Sequence, residues 1–169
     1  MKDIASNAEL PIQIIQNGYS SAAAIIFSAT VGGLIALWSI RNQNRIARMR
    51  ATLDVILKSE SDVYYQNIYS TFRSELTRTG GLTSLRLANS NNEKLSRRDV
   101  NDFLSHYELI AIAIDKKILD ESFYKEWMKS AYIRHYKDAE EYIRVVNEEQ
   151  KTNLLFINFK ELAEKWERE

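Results

Sequence analysis

The chain has 169 residues, 23 positive and 23 negative side chains, and no cysteine. Its length suits one ordinary domain, and its composition excludes disulfides, thiolate catalysis and zinc sites with cysteine ligands. The net charge is zero, whereas nucleic-acid-binding domains typically carry an excess of positive charge, so we expect no nucleic-acid partner.

The first predicted element is a transmembrane helix over residues 19–40. These twenty-two residues contain no charge and would form a helix about 33 Å long, enough to cross the hydrocarbon core of a bilayer. The alternative is the core helix of a soluble protein, which seldom runs this far without a charge. Tyr19 and Trp38 lie near the two ends, where aromatic rings favour lipid headgroups. The predicted organisation is a short tail (1–18), this span, and a helical domain (41–169).

Positive charge follows the span rather than preceding it. Within ten residues come Arg41, Arg45, Arg48 and Arg50. Because cations accumulate on the cytoplasmic flank, we expect a single-pass protein of the bacterial inner membrane with its amino terminus outside and its domain in the cytoplasm. The same arginines would contact anionic headgroups of the lipid bilayer.

Small side chains recur every four residues along one face of the span: Ala24, Ser28, Gly32 and Ala36. This spacing lets two membrane helices approach closely, and Ser28 could add a hydrogen bond across the contact. The stripe indicates a homo-oligomer. The alternative is that small residues are simply common in membrane helices.

Helical periodicity continues after the span, which predicts an all-α fold. The span should continue into a long helix that reaches about Arg78, before the breaker Gly80-Gly81. A loop is expected over 82–95, with Ser96 as the N-cap of the next helix.

The remaining periodicity completes a compact bundle of about four to five helices. The helix after Ser96 should bury one stripe: Val100, Phe103, Leu104, Tyr107, Ile110, Ala111 and Ile114. Asp115-Lys116-Lys117 ends it, and Asp120 should cap a helix that carries Phe123, Trp127, Met128, Ala131 and Tyr132. A further helical stretch carries Ala139 to Val146, and the last one starts at about Leu154.

Catalytic chemistry finds little support in this sequence. His106 lies one turn after Asp102, and His135 about one turn before Asp138, but a metal site would need both pairs to meet. We expect surface histidines, no metal and no cofactor. No phosphate-binding glycine loop and no G-x-S-x-G motif is present. The prediction is therefore that the protein is not an enzyme.

Aromatic residues are dense after the span. Most should be core, and any surplus exposed beside arginines would have the composition of a protein-binding face.

Two stretches, RATLDVILKSESDVYY (50–65) and VNDFLSHYELIAIAIDKKILDESFYKEWM (100–128), carry a family resemblance. The chain resembles an uncharacterised family of short bacterial and phage proteins that place one membrane helix before a small helical domain of unknown function. The resemblance implies architecture and no reaction. It also suggests a role in phage–host conflict, such as exclusion or defence.

Together these features favour a membrane-anchored interaction module with an unknown protein partner. The alternative is an oligomeric pore or toxin, for which Ser21, Ser28 and Ser39 offer only a thin polar stripe. An enzyme that uses acidic and histidine side chains is the remaining possibility.

Overall fold

A computed structural model describes the backbone of residues 9–169 and the side chains of residues 25–169. Every regular element in this part of the chain is a helix, which confirms the predicted all-α class there. The elements are α1 (Glu9–Ser61), α2 (Val63–Thr77), a 3-10 helix (Leu82–Leu87), α3 (Asn91–Asp115), α4 (Glu121–Glu149) and α5 (Ile157–Arg168). The chain divides into two compact units, Met1–Ile46 and Ala47–Glu169.

The apolar segment continues into a long helix, as predicted, but this helix ends at Ser61 rather than at about Arg78, because it is interrupted at Asp62. Asp62 has an extended backbone, and its carboxylate accepts hydrogen bonds from the N–H groups of Tyr64 (2.8 Å) and Tyr65 (3.4 Å). A short acidic side chain that satisfies the free N–H groups of a new helix start favours a break over continuation.

The predicted loop over 82–95 is also wrong. Gly80 and Gly81 end α2 with positive φ angles of 88° and 57°, as expected, but a 3-10 helix follows at once. Helix α3 then begins six residues earlier than predicted. Its N-cap is Ser90, not Ser96.

Ser90 and Glu93 form a capping box at the start of α3. The Ser90 hydroxyl accepts from the Glu93 N–H (3.2 Å), while the Glu93 carboxylate accepts from the Ser90 N–H (3.2 Å). The N–H groups of Ser90 and Asn89 lower the pKa of Glu93 to about 2. The spacing S-x-x-E was the available signal for this helix start.

Asp120 is the N-cap of α4, as predicted, and its carboxylate accepts a hydrogen bond from the Phe123 N–H at 3.0 Å. The two separate stretches predicted after Asp120 are one helix of 29 residues. Three residues other than glycine have positive φ in the helix connections: Lys117, Lys151 and Phe156, the last being the residue before α5.

The core of the second unit is largely aromatic. All seven residues of the predicted α3 stripe are buried, which confirms that stripe. Tyr107 stacks on Phe159 of α5 with ring centroids 5.0 Å apart, and Tyr132 of α4 lies 4.9 Å from Phe159 and 4.9 Å from Trp166. The Glu108 carboxylate accepts from the backbone N–H groups of Asn158 (3.2 Å) and Phe159 (2.7 Å), which fixes the start of α5 to α3.

The end of α1 buries one face against the second unit's other helices. Leu53 and Leu57 are exposed, whereas Thr52 and Ile56 are buried. Thr52 donates to the Arg48 carbonyl (2.8 Å) and accepts from the Asp120 N–H (2.8 Å), so a buried polar side chain joins α1 to the start of α4. A count of apolar residues could not find this contact.

Candidate functional site

Three features of the described residues are candidates for function: an exposed apolar segment, a buried histidine–tyrosine cluster and a charged cleft. The apolar segment lies in the first unit. Between 37% and 72% of the surface of each large apolar side chain from residue 25 to 40 is exposed. These side chains are Ile25, Ile26, Phe27, Val31, Leu34, Ile35, Leu37, Trp38 and Ile40.

The predicted association stripe lies on this segment. Gly32 has no side-chain or neighbouring backbone atom within 4 Å of the position that a Cβ would take, so its surface is open to a second helix. Ser28 donates to the Ile25 carbonyl at 2.9 Å, which leaves its oxygen free to accept. Ala36 is exposed, and the Ala24 side chain lies outside the described residues.

The predicted membrane-interface residues fall into two groups. Trp38, Arg41, Arg45 and Arg50 are exposed, while Arg48 is half-buried in the second unit. The Tyr19 side chain lies outside the described part. The sequence put Arg48 among the headgroup contacts, and the structure shows that it also lines a cleft.

The cleft has a volume of about 830 Å³ and is formed entirely within the second unit. Arg48 of α1, Lys117 of the α3–α4 connection, the start of α4 and one face of α5 line it. This volume is within the range of small-molecule sites. The cleft was not predicted from the sequence, because the residues that line it are separated by up to about 120 positions and share no local pattern.

Two ion pairs lie along the wall of the cleft. Lys165 contacts Glu121 (2.5 Å), and Trp166 donates from its indole N–H to the same carboxylate oxygen (2.9 Å). Burial raises the pKa of Glu121, but the hydrogen bonds from Lys165 and Trp166 outweigh it, so that the pKa is lowered overall. Lys125 pairs with Glu169.

The histidine–tyrosine cluster consists of the buried His135 and Tyr107 and the half-buried His106 and Tyr65. The His135 Nδ1 and the Tyr107 hydroxyl are 2.8 Å apart, and the Tyr65 hydroxyl is 3.3 Å from that of Tyr107. His106 Nε2 lies 3.2 Å from the Ser59 hydroxyl. Burial lowers the pKa of both histidines to about 4, and for His135 the nearby Arg134 and Arg73 add to the effect. The expectation of surface histidines is wrong for His135, which is buried against Phe103, while His106 is half-buried beside Tyr65.

The predicted aspartate–histidine pairs do not form in this part of the chain. Asp102 accepts from the Tyr64 hydroxyl (2.6 Å) and lies 3.6 Å from Arg98. Among the described residues, no three His, Asp or Glu side chains are grouped so as to hold a metal ion.

Most aromatic side chains after the span belong to the core, as expected. Trp127 is an exception at 64% exposed, and Tyr64 is 54% exposed. Trp127 was predicted on the apolar face of its helix, but α4 buries Tyr124, Tyr132 and Tyr136 instead.

These elements define an all-helical protein that, within the described residues, has one helix long and apolar enough to cross a membrane. Residues 26–166 match the profile of the domain of unknown function DUF4760, and the chain belongs to this family. The match confirms the resemblance to an uncharacterised family, while a bacterial or phage origin stays a prediction. No curated protein and no solved structure matches the chain.

Proposed function

We propose that the chain is a membrane-anchored interaction module, with α1 spanning the bilayer once. The observation that supports this best is the exposure of every large apolar side chain between residues 25 and 40. Complete transfer of such a side chain out of water is worth roughly 1.5–3 kcal/mol, and each would gain the part that its exposed surface represents. The core helix of a soluble protein would be mostly buried, whereas no residue in the most apolar stretch of α1 is buried.

The charges next to the span support its proposed orientation. Arg41, Arg45 and Arg50 are exposed, and acidic residues are absent from 25–53. An excess of arginine is typical of the cytoplasmic flank. The helical unit would therefore lie in the cytoplasm of a bacterial cell, at its inner membrane. A role in phage–host conflict rests on the family resemblance alone.

The proposed interaction begins with a second copy of the chain. In a lipid environment, helix association depends on close packing rather than on the hydrophobic effect. The open surface at Gly32 and the free acceptor of Ser28 are features that would permit such packing. A parallel pair would hold two helical units side by side for an unknown protein partner.

Substitution of Gly32 by Ile tests this proposal. The added side chain would hold two helices apart, and we expect the crosslinked dimer in cells to fall about fivefold or more, as a loss of about 1 kcal/mol or more implies. Thr30→Ile is the matched control, since two residues turn a helix by about 200° and place it on the opposite face. The full chain is expressed in membranes, crosslinked and resolved by electrophoresis.

An unchanged dimer fraction in Gly32→Ile would remove the stripe from the proposal. An equal loss in Thr30→Ile would show an unspecific effect on insertion. Dye entry into cells that overproduce the wild-type chain, abolished by Gly32→Ile, would favour the alternative of a pore.

A further inference from the structure

The charged cleft of the second unit has no role in the proposed anchoring or association. It has the volume of a small-molecule site, about 830 Å³, and its polar side chains converge from α1, the α3–α4 connection and α5. These elements are far apart in sequence, so the cleft exists only because the unit folds around it.

Most charges at the cleft already have partners. Glu121 contacts Lys165, Glu169 contacts Lys125, and Asp115 contacts Lys116 just outside the cleft. The Asp120 carboxylate accepts from the Phe123 N–H as the N-cap of α4. These groups form the walls and bind one another.

Two lining cations have no acidic partner within the described residues. The Nε atom of Arg48 is fully buried, and no acceptor lies within hydrogen-bond distance of it. A buried guanidinium N–H without an acceptor is costly, and its planar fork suits an oxyanion. Lys117 is exposed, belongs to no ion pair, and holds a left-handed backbone with φ of 56°.

Two carboxylates of the cleft are without an ion pair in the described part, that of Asp120, which caps α4, and that of Glu161. A ligand that carries an anionic group at one end and a hydroxyl or ammonium donor at the other would satisfy Arg48, Lys117 and Glu161 together. Two cations match the one or two negative charges of a phosphate ester better than they match a neutral ligand.

We propose that the cleft binds a phosphate ester, with Arg48 and Lys117 on the phosphate and Glu161 accepting from its polar end. Two sources share this chemistry, the headgroup of an anionic phospholipid and a soluble phosphate ester. Arg48 follows Ile40 by eight residues in sequence, which makes a headgroup a natural source if α1 spans a bilayer. Soluble-ligand binding would not depend on the proposed anchoring or association.

Two measurements on the purified full chain in neutral detergent separate the sources. Glycerol 3-phosphate is titrated by isothermal calorimetry, and retention of phosphatidylglycerol against phosphatidylcholine is followed by native mass spectrometry. The test variants are Arg48→Gln and Lys117→Asn, since asparagine tolerates a left-handed backbone. Arg45→Gln and Lys151→Asn are matched controls: Arg45 is an exposed arginine outside the cleft, and Lys151 also has positive φ (51°).

We expect saturable binding of at least one probe, weakened about tenfold or more in both test variants and less than twofold in both controls. Glycerol 3-phosphate binding would indicate a soluble ester, and selective retention of one phosphatidylglycerol would indicate a headgroup. Binding of neither probe, or equal losses in the controls, would overturn the proposal. If Arg48→Gln loses its helical circular dichroism, the comparison of Lys117→Asn with Lys151→Asn tests the proposal instead.

Discussion

His135 shows how burial changes the behaviour of a single residue. Only 4% of its surface is exposed, its Nδ1 shares a hydrogen bond with Tyr107, and its Nε2 has no partner within the described residues. A charged imidazole in this aromatic surrounding would lose its hydration, so the folded state favours the neutral form. The residue thus acts as a core side chain at neutral pH.

This burial predicts acid sensitivity. The pKa of His135 is about 4 in the folded state against about 6.5 when unfolded, so the unfolded chain binds the proton more readily. The contribution of neutral His135 to the free energy of unfolding is fully present above pH 6.5. It declines as the pH falls from 6.5 towards 4. At pH 5, where most carboxylates are still ionised, the loss is about 2 kcal/mol for His135.

Urea denaturation of the full chain in detergent at pH 7.5 and pH 5 measures this loss. We expect His135→Phe to remove part of the decline, and His106→Gln to remove a further part, because both histidines have a lowered pKa. A wild-type midpoint that does not change between the two pH values would contradict the argument.

At the scale of elements, side-chain caps decide where the helices begin. Asp62, Ser90 and Asp120 each accept a hydrogen bond from a free N–H at a helix start. The cap at Asp120 was predicted from the sequence, the cap at Asp62 was not, and the start of α3 was predicted at Ser96. The first error came from apolar periodicity that runs through Asp62, and the second from choosing Ser96 as the cap instead of the S-x-x-E spacing at Ser90.

Two alanine variants distinguish the observed start of α3 from the predicted one. Ser90→Ala removes the capping hydroxyl and should lower the free energy of unfolding by about 1 kcal/mol. Ser96→Ala lies inside the helix, where alanine is the better helix former, and should be neutral or stabilising by a few tenths of a kcal/mol. Urea midpoints of the full chain measure both. A larger loss in Ser96→Ala than in Ser90→Ala would contradict the assignment.

At the scale of the whole molecule, the proposed topology has a direct test, because the chain contains no cysteine. Single cysteines are introduced as Ser6→Cys in the proposed external tail and as Glu126→Cys at an exposed position of α4. In bacterial spheroplasts, a membrane-impermeant maleimide should label Ser6→Cys at once and Glu126→Cys only after lysis. The cysteine-free parent gives the background, and the reverse labelling pattern would invert the proposed orientation.

Local sequence patterns were enough to predict the helical class, the uncharged apolar segment and the buried stripe of α3. These properties follow from composition, from a period of 3.6 residues and from caps, which are interactions between near neighbours in the chain. Each can be recognised without knowing which elements meet.

Tertiary packing sets the exposure of Leu53 and Leu57, the burial of His135, and the cleft that Arg48 and Lys117 line. Each depends on which face of one helix meets residues fifty or more positions away, as when Thr52 accepts from the Asp120 N–H. An amphipathic helix can bury either of two adjoining faces, and the helix that packs against it determines which face is buried. A site between helices therefore forms only when the helices have packed.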